Sequence, residues 1–185
     1  MKKALLALAL GITSSTTFAA TVGTGSIHFY GRIDSGTCPI EIIDPVTGNP
    51  ESGNRILMGN VDASQFTGNG SEAAARSFGM RITPGRGCAV NTGDVANVTF
   101  TGAFGGAGTG GVLYALEPGS ASNLALTLKD NTGAAIPNGS ASRDYPLDDT
   151  NPTTMLFSAA YKQSAATAVT AGPANTSVQF VVDIP

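Results

Sequence analysis

The chain has 185 residues, a formal net charge of −3, one histidine, two cysteines and no tryptophan. Set aside Lys2 and Lys3, which belong to a leader, and eight basic residues face thirteen acidic ones, a net charge of −5. An acidic chain without clustered positive charge is a poor match for nucleic acid or an anionic membrane surface, both of which require basic patches.

Residues 1–19 read as an export signal: Lys2 and Lys3 are followed by the short apolar run Ala4 to Ile12 and the small-residue end Thr17-Phe18-Ala19. No apolar run reaches the ~18 residues that span a bilayer, so the mature chain is expected to be exported and soluble. The next segment, residues 20–36, contains the strand-like Ser26-Ile27-His28-Phe29-Tyr30-Gly31-Arg32-Ile33. Ile27, Phe29 and Ile33 fall on one face together with Gly23, Gly25 and Gly31, so large side chains alternate with absent ones. That face fits a groove with pockets better than a flat sheet. Cys38 and Cys88 follow, and two cysteines in an exported chain point to a disulfide.

Beyond Cys38 the pattern is period two. Ser71 to Arg76 could form one helical turn, and Phe78, Met80 and Ile82 then alternate with polar or small neighbours. Ala96, Val98 and Phe100 repeat that alternation before a Gly-rich stretch, Gly102 to Gly111, which reads as a flexible loop; it lacks phosphate-loop spacing. Leu124, Leu126 and Leu128 mark another strand, closed by the turn Asp130-Asn131-Thr132-Gly133 and followed by Pro137-Asn138-Gly139. Met155, Phe157, Ala159 and Tyr161 form the next, Pro173-Ala174-Asn175 a further turn, and Val178, Phe180, Val182 and Ile184 the last. Short strands, frequent turns and almost no helix predict a single antiparallel β-sandwich over residues 37–185.

Catalysis finds no support in this pattern. His28 is the only histidine and lies on the outward phase of its strand, and the adjacent acids Asp148 and Asp149 sit in a loop between Pro146 and Pro152. No cofactor or metal motif is present.

Taken together, Gly25 to Gly31 ahead of Cys38, Phe78 to Ile82 ahead of Cys88, Val98-Thr99-Phe100-Thr101-Gly102, Leu128-Lys129-Asp130 through Gly133, and Phe157 to Tyr161 followed by Ala171-Gly172 resemble a chaperone–usher pilus subunit, most closely the major shaft subunits of type 1 fimbriae. The likeness runs through the whole mature chain. At the C-terminus the family has a glycine fourteenth from the end, an alternating apolar strand and a penultimate tyrosine; Gly172, Val178, Phe180 and Val182 match, and Ile184 stands in the tyrosine's place.

The resemblance implies an all-β fold, an incomplete immunoglobulin-like sandwich that lacks its last strand. It implies that residues 20–36 are a donor strand, with Val22, Gly25, Ile27, Phe29, Gly31 and Ile33 facing a neighbour's groove. Gly172, Val178, Phe180, Val182 and Ile184 would form the strand beside this molecule's own groove, met first by a periplasmic chaperone and then by another subunit. The implied partners are further copies, related pilus subunits, the chaperone and an outer-membrane usher. The implied product is an extracellular adhesive fibre reached through the periplasm. A minor adaptor subunit of such a pilus and a self-contained secreted β-sandwich that binds a ligand are the alternatives. The length leaves no room for the extra receptor domain of a tip adhesin.

Overall fold

The computed structural model describes residues 38–85 and 87–185. The described chain is all-β. Its strands are β1 (Ile40–Ile43), β2 (Glu72–Ile82), β3 (Val95–Gly102), β4 (Gly106–Ala107), β5 (Leu113–Tyr114), β6 (Leu124–Asp130), β7 (Ala135–Ile136), β8 (Tyr145–Pro146), β9 (Thr153–Gln163) and β10 (Val178–Asp183). They form two antiparallel sheets. One runs β1-β2-β9-β6-β5-β4, with β7 also paired to β6, and the other runs β10-β3-β8.

The period-two pattern produces this layering because alternate side chains on each strand leave water together. Phe78, Met80 and Ile82 of β2, Met155, Phe157 and Ala159 of β9, and Leu126 and Leu128 of β6 turn inward from the larger sheet. Ala96, Val98 and Phe100 of β3 meet them from the smaller one. Phe157 is the hub. Its ring stacks on Phe78 with centroids 5.6 Å apart and meets Phe100 and Tyr145 edge-on at 5.2 and 5.3 Å. Cys38 and Cys88 are bonded, tying the start of the domain to the loop ahead of β3. Closing that loop of about 50 residues stabilises the fold by roughly 4 kcal/mol on a chain-entropy basis.

Two expectations from the sequence are corrected. Residues Glu72–Arg76 are not a helical turn; they open β2. Glu72 lies opposite Lys162 of β9, and its carboxylate takes hydrogen bonds from Lys162 Nζ at 3.0 Å and Lys129 Nζ at 2.5 Å. Burial works against that carboxylate, but the two ammonium groups outweigh it and hold its pKa below the ordinary glutamate value. Cross-strand pairing thus overrides the helical preference of three consecutive alanines. The Gly102–Gly111 stretch, in turn, is folded rather than loose. It contains β4 and a short 3-10 turn, Thr109–Gly111, and a Cβ on Gly106 would lie 2.2 Å from the Gly111 carbonyl oxygen. Glycine is needed there because the backbone passes over itself.

The pairing of β2 with β9 slips between Ala73 and Arg76, a β-bulge, and Ala74 sits at φ 56°. That left-handed conformation costs an L-residue about 1–2 kcal/mol. Ala74→Gly is therefore expected to stabilise the domain by about 1 kcal/mol, a rise of roughly 2–4 °C in melting temperature on calorimetry. A fall in melting temperature would show that the alanine methyl contributes more through packing than its backbone costs.

Candidate functional site

β10 is an edge strand. Its one ladder among the described residues is with β3, in the register Val178↔Gly102, Phe180↔Phe100, Val182↔Val98. Which of its backbone groups face the ladder follows from the neighbouring bonds. Phe100 O accepts from Gly139 N–H (2.8 Å) and Val98 O from Ser142 N–H (2.8 Å), so these β3 residues bond away from β10. Ser177 O accepts from Ala103 N–H at 2.9 Å, one step beyond the strand. The hydrogen-bonded pairs of an antiparallel ladder alternate, so Gln179, Val181 and Asp183 bond β3, and Val178, Phe180 and Val182 turn their N–H and C=O groups outward. Those outward groups have no backbone partner among the described residues.

The same three residues, with Ile184 beyond them, direct apolar side chains against the core while remaining half-exposed. Val181 faces the opposite way and is 59% exposed. Among the described residues the edge therefore offers unpaired backbone and half-exposed apolar surface on the same residues, a template for an extended chain. Other sheet edges are less inviting. β4 and β8 have two residues each, β8 includes Pro146, and β1 covers only the Gly79–Ile82 half of β2, leaving the bulged half beside it.

A second stretch, residues 55–62, runs outside any strand or helix, with Gly59 at φ 77°. Ile56 and Met58 pack toward the core and Leu57, between them, is 79% exposed. Its far end, Gly59 to Val61 with Ala63 and Phe66, faces residues 169–175 across an open cavity of about 470 Å³. Tyr161, Leu124 and Ala121 complete the lining. Gly172 is one of these wall residues. A Cβ there would approach the Ala121 nitrogen to 3.2 Å, where Ala121 N–H donates to Pro173 O at 2.8 Å.

Three buried phenols fasten this framework by donating to main-chain carbonyls. Tyr114 reaches Ile136 (3.0 Å), Tyr145 reaches Leu156 (2.9 Å) and Tyr161 reaches Ala174 (2.6 Å). Burial raises the pKa of each above the ordinary phenol value, so all three remain donors through the neutral range.

Of the residues singled out in the sequence, Val178, Phe180 and Val182 lie on one face of β10 with Ile184 just beyond it, Gly172 lies apart in the cavity wall against Ala121, and Cys38 and Cys88 are joined. Val22, Gly25, Ile27, Phe29, Gly31 and Ile33, and the leader ahead of them, lie outside the described residues. The Asp148 carboxylate accepts from Thr150 and Asn151 N–H at 2.8 and 2.7 Å, a turn-closing arrangement that holds its pKa below the usual aspartate value. The core-packed pair Ile56 and Met58 escaped sequence reading. Its only signal was a three-residue alternation with no strand-length continuation.

The protein-family model described as Fimbrial protein matches residues 27–185. The probable major fimbrial subunit LpfA of Escherichia coli O157:H7 is 30% identical over 183 residues, covering 97% of this chain and 95% of that protein. Among solved structures, a Burkholderia pseudomallei antigen and type I fimbria protein superposes with TM-score 0.58 at 25% identity, over 80% of this chain and 99% of its own. A chaperone–usher pilus structure, from work on rod uncoiling, gives TM-score 0.61 at 17% identity, over 90% of this chain and 99% of its own, a likeness of fold.

Proposed function

This chain belongs to the fimbrial protein family, and from that premise we propose that it is a fibre-forming subunit whose β10 edge accepts an extended strand from another copy. Fimbrial subunits of this kind build chaperone–usher pili on the cell surface, a structural task rather than a catalytic one. The observation that carries the finer reading is the outward-facing backbone of Val178, Phe180 and Val182, without a partner among the described residues, on an apolar face. In this reading residues 20–36 of one subunit lie along β10 of the next, with Ile27, Phe29 and Ile33 packing on the half-exposed apolar face of Val178, Phe180 and Val182. Gly25 and Gly31 supply the positions where no side chain fits. Main-chain bonds would give affinity and the alternating pockets register, as in β-strand addition generally. A periplasmic chaperone would cover the same edge before assembly, and an outer-membrane usher would be the place of exchange. The product would be a surface fibre used in adhesion.

The strand's two backbone faces give a direct test. In Val182→Pro the lost N–H points away from β3, so the domain is expected to fold with its disulfide intact while fibre formation fails. One missing backbone hydrogen bond at about 1–1.5 kcal/mol weakens the joint by roughly tenfold, and the proline ring adds a clash with the incoming strand. In Val181→Pro the lost N–H bonds β3, so the fold itself should suffer. Electron microscopy of the cells and a periplasmic immunoblot distinguish the two. Normal fibres from Val182→Pro would mean that the outer edge of β10 is not the acceptor.

A further inference from the structure

Residues 164–177 run from β9 to β10 as Ser-Ala-Ala-Thr-Ala-Val-Thr-Ala-Gly-Pro-Ala-Asn-Thr-Ser with no strand or helix. Among them only Val169 and Ala174 pack on the core. So few and such small side chains do not place fourteen residues by packing. Hydrogen bonds place them instead. Gln163 is 2% exposed, and its Nε2 donates to Ala165 O at 2.9 Å and Thr167 O at 3.0 Å, while its Oε1 accepts from Ser71 Oγ at 3.3 Å. Asn123 Nδ2 donates to Ala168 O at 2.9 Å, and Thr170 Oγ1 accepts from Ser122 N–H at 2.8 Å. Tyr161 donates to Ala174 O at 2.6 Å. Gln163 is the exception on its strand face, where Met155, Phe157 and Ala159 are apolar. An apolar residue would suit the core there as well, so the amide's contribution is to the segment it folds.

We propose that Gln163 and Tyr161 are positioning residues for strand capture, holding residues 164–176, of which 169–175 line the cavity and which lead into β10, in place before any strand arrives. This rests on the reading of β10 as an acceptor edge. A wall already in place spares the incoming segment the ordering cost of those residues during docking. Its loss therefore slows association.

The test uses the full mature chain carrying Phe29→Asp, whose own segment is disabled as a donor, and a fluorescent peptide of residues 20–36. Association and dissociation rates and the melting temperature of the unloaded chain are measured with and without Gln163→Leu or Tyr161→Phe. Association is expected to slow about tenfold in each, for one or two lost buried hydrogen bonds, with dissociation and the melting temperature of the unloaded chain unchanged. Unchanged association, or a melting temperature that falls in step with it, overturns the proposal, the second outcome assigning these side chains to general stability. Should Gln163→Leu not fold, Tyr161→Phe decides, because its ring stays in the cavity wall. A Phe29→Asp chain with Gln163 and Tyr161 intact that takes up no peptide overturns the acceptor-edge reading itself, and the wall's role with it.

Discussion

Cells making the Phe29→Asp chain are expected to accumulate unjoined subunits and to display no fibres. Phe29 lies at the centre of the apolar phase of residues 26–33, flanked by Ile27 two residues before it and Gly31 two after. In the proposed joint its ring enters the space beside β10, where burial of a large apolar side chain contributes about 1.5–3 kcal/mol. Aspartate removes that gain and adds a charge with no partner. Phe180 and Val182 present hydrocarbon to the site, and the nearest acid on the strand, Asp183, is of the same sign. Burying an unpaired carboxylate costs several kcal/mol more or forces its protonation. A joint of moderate affinity does not survive both losses. Phe29→Leu keeps the hydrocarbon and should retain fibres, which separates charge from shape. Electron microscopy alongside a periplasmic immunoblot reads both variants, and normal fibre yield from Phe29→Asp would remove this segment from the joint.

Phe157→Ala is expected to eliminate the subunit before assembly begins. Its ring touches Phe78, Phe100 and Tyr145, which come from both sheets, so its removal opens the contact that holds the sandwich together. A Phe→Ala change in a core costs about 3–5 kcal/mol, against a whole-domain stability of about 5–15 kcal/mol. The steady-state amount of exported subunit should fall severalfold, with a matching loss in thermal midpoint. The neighbouring Leu156 points out of the same strand and is 41% exposed, so Leu156→Ala should change stability by no more than about 0.5 kcal/mol. Equal effects from the two would place the core elsewhere.

The sandwich was legible because alternation is written most plainly where a strand has one wet and one dry face. Phe78 to Ile82, Ala96 to Thr101, Leu124 to Lys129, Met155 to Lys162 and Val178 to Asp183 all lie in strands. The start of β2 was misread for a physical reason. Three alanines carry a local helical preference, while what makes them extended is a glutamate reaching lysines 57 and 90 residues away. The glycine run was misread as mobile because glycine permits looseness and close approach alike, and only the fold shows that Gly106 passes against Gly111. At the candidate site the apolar phase of β10 was visible from the sequence. Its outward backbone was not, since that depends on which neighbours Val98 and Phe100 bond. Gln163 and Tyr161 were opaque for the same reason: their partners are carbonyls of a segment with no pattern of its own.

The bulge between Ala73 and Arg76 bears on crowding. Two long exposed flanks per molecule would let copies knit sideways into ribbons and gels. A kinked, out-of-step strand at one flank, a four-residue β1 beside it and two-residue strands at the far end of each sheet leave the six residues of β10 as the longest regular edge among the described residues. Molecules so built add to one another along a line, and a thread rather than a clot is what their geometry permits.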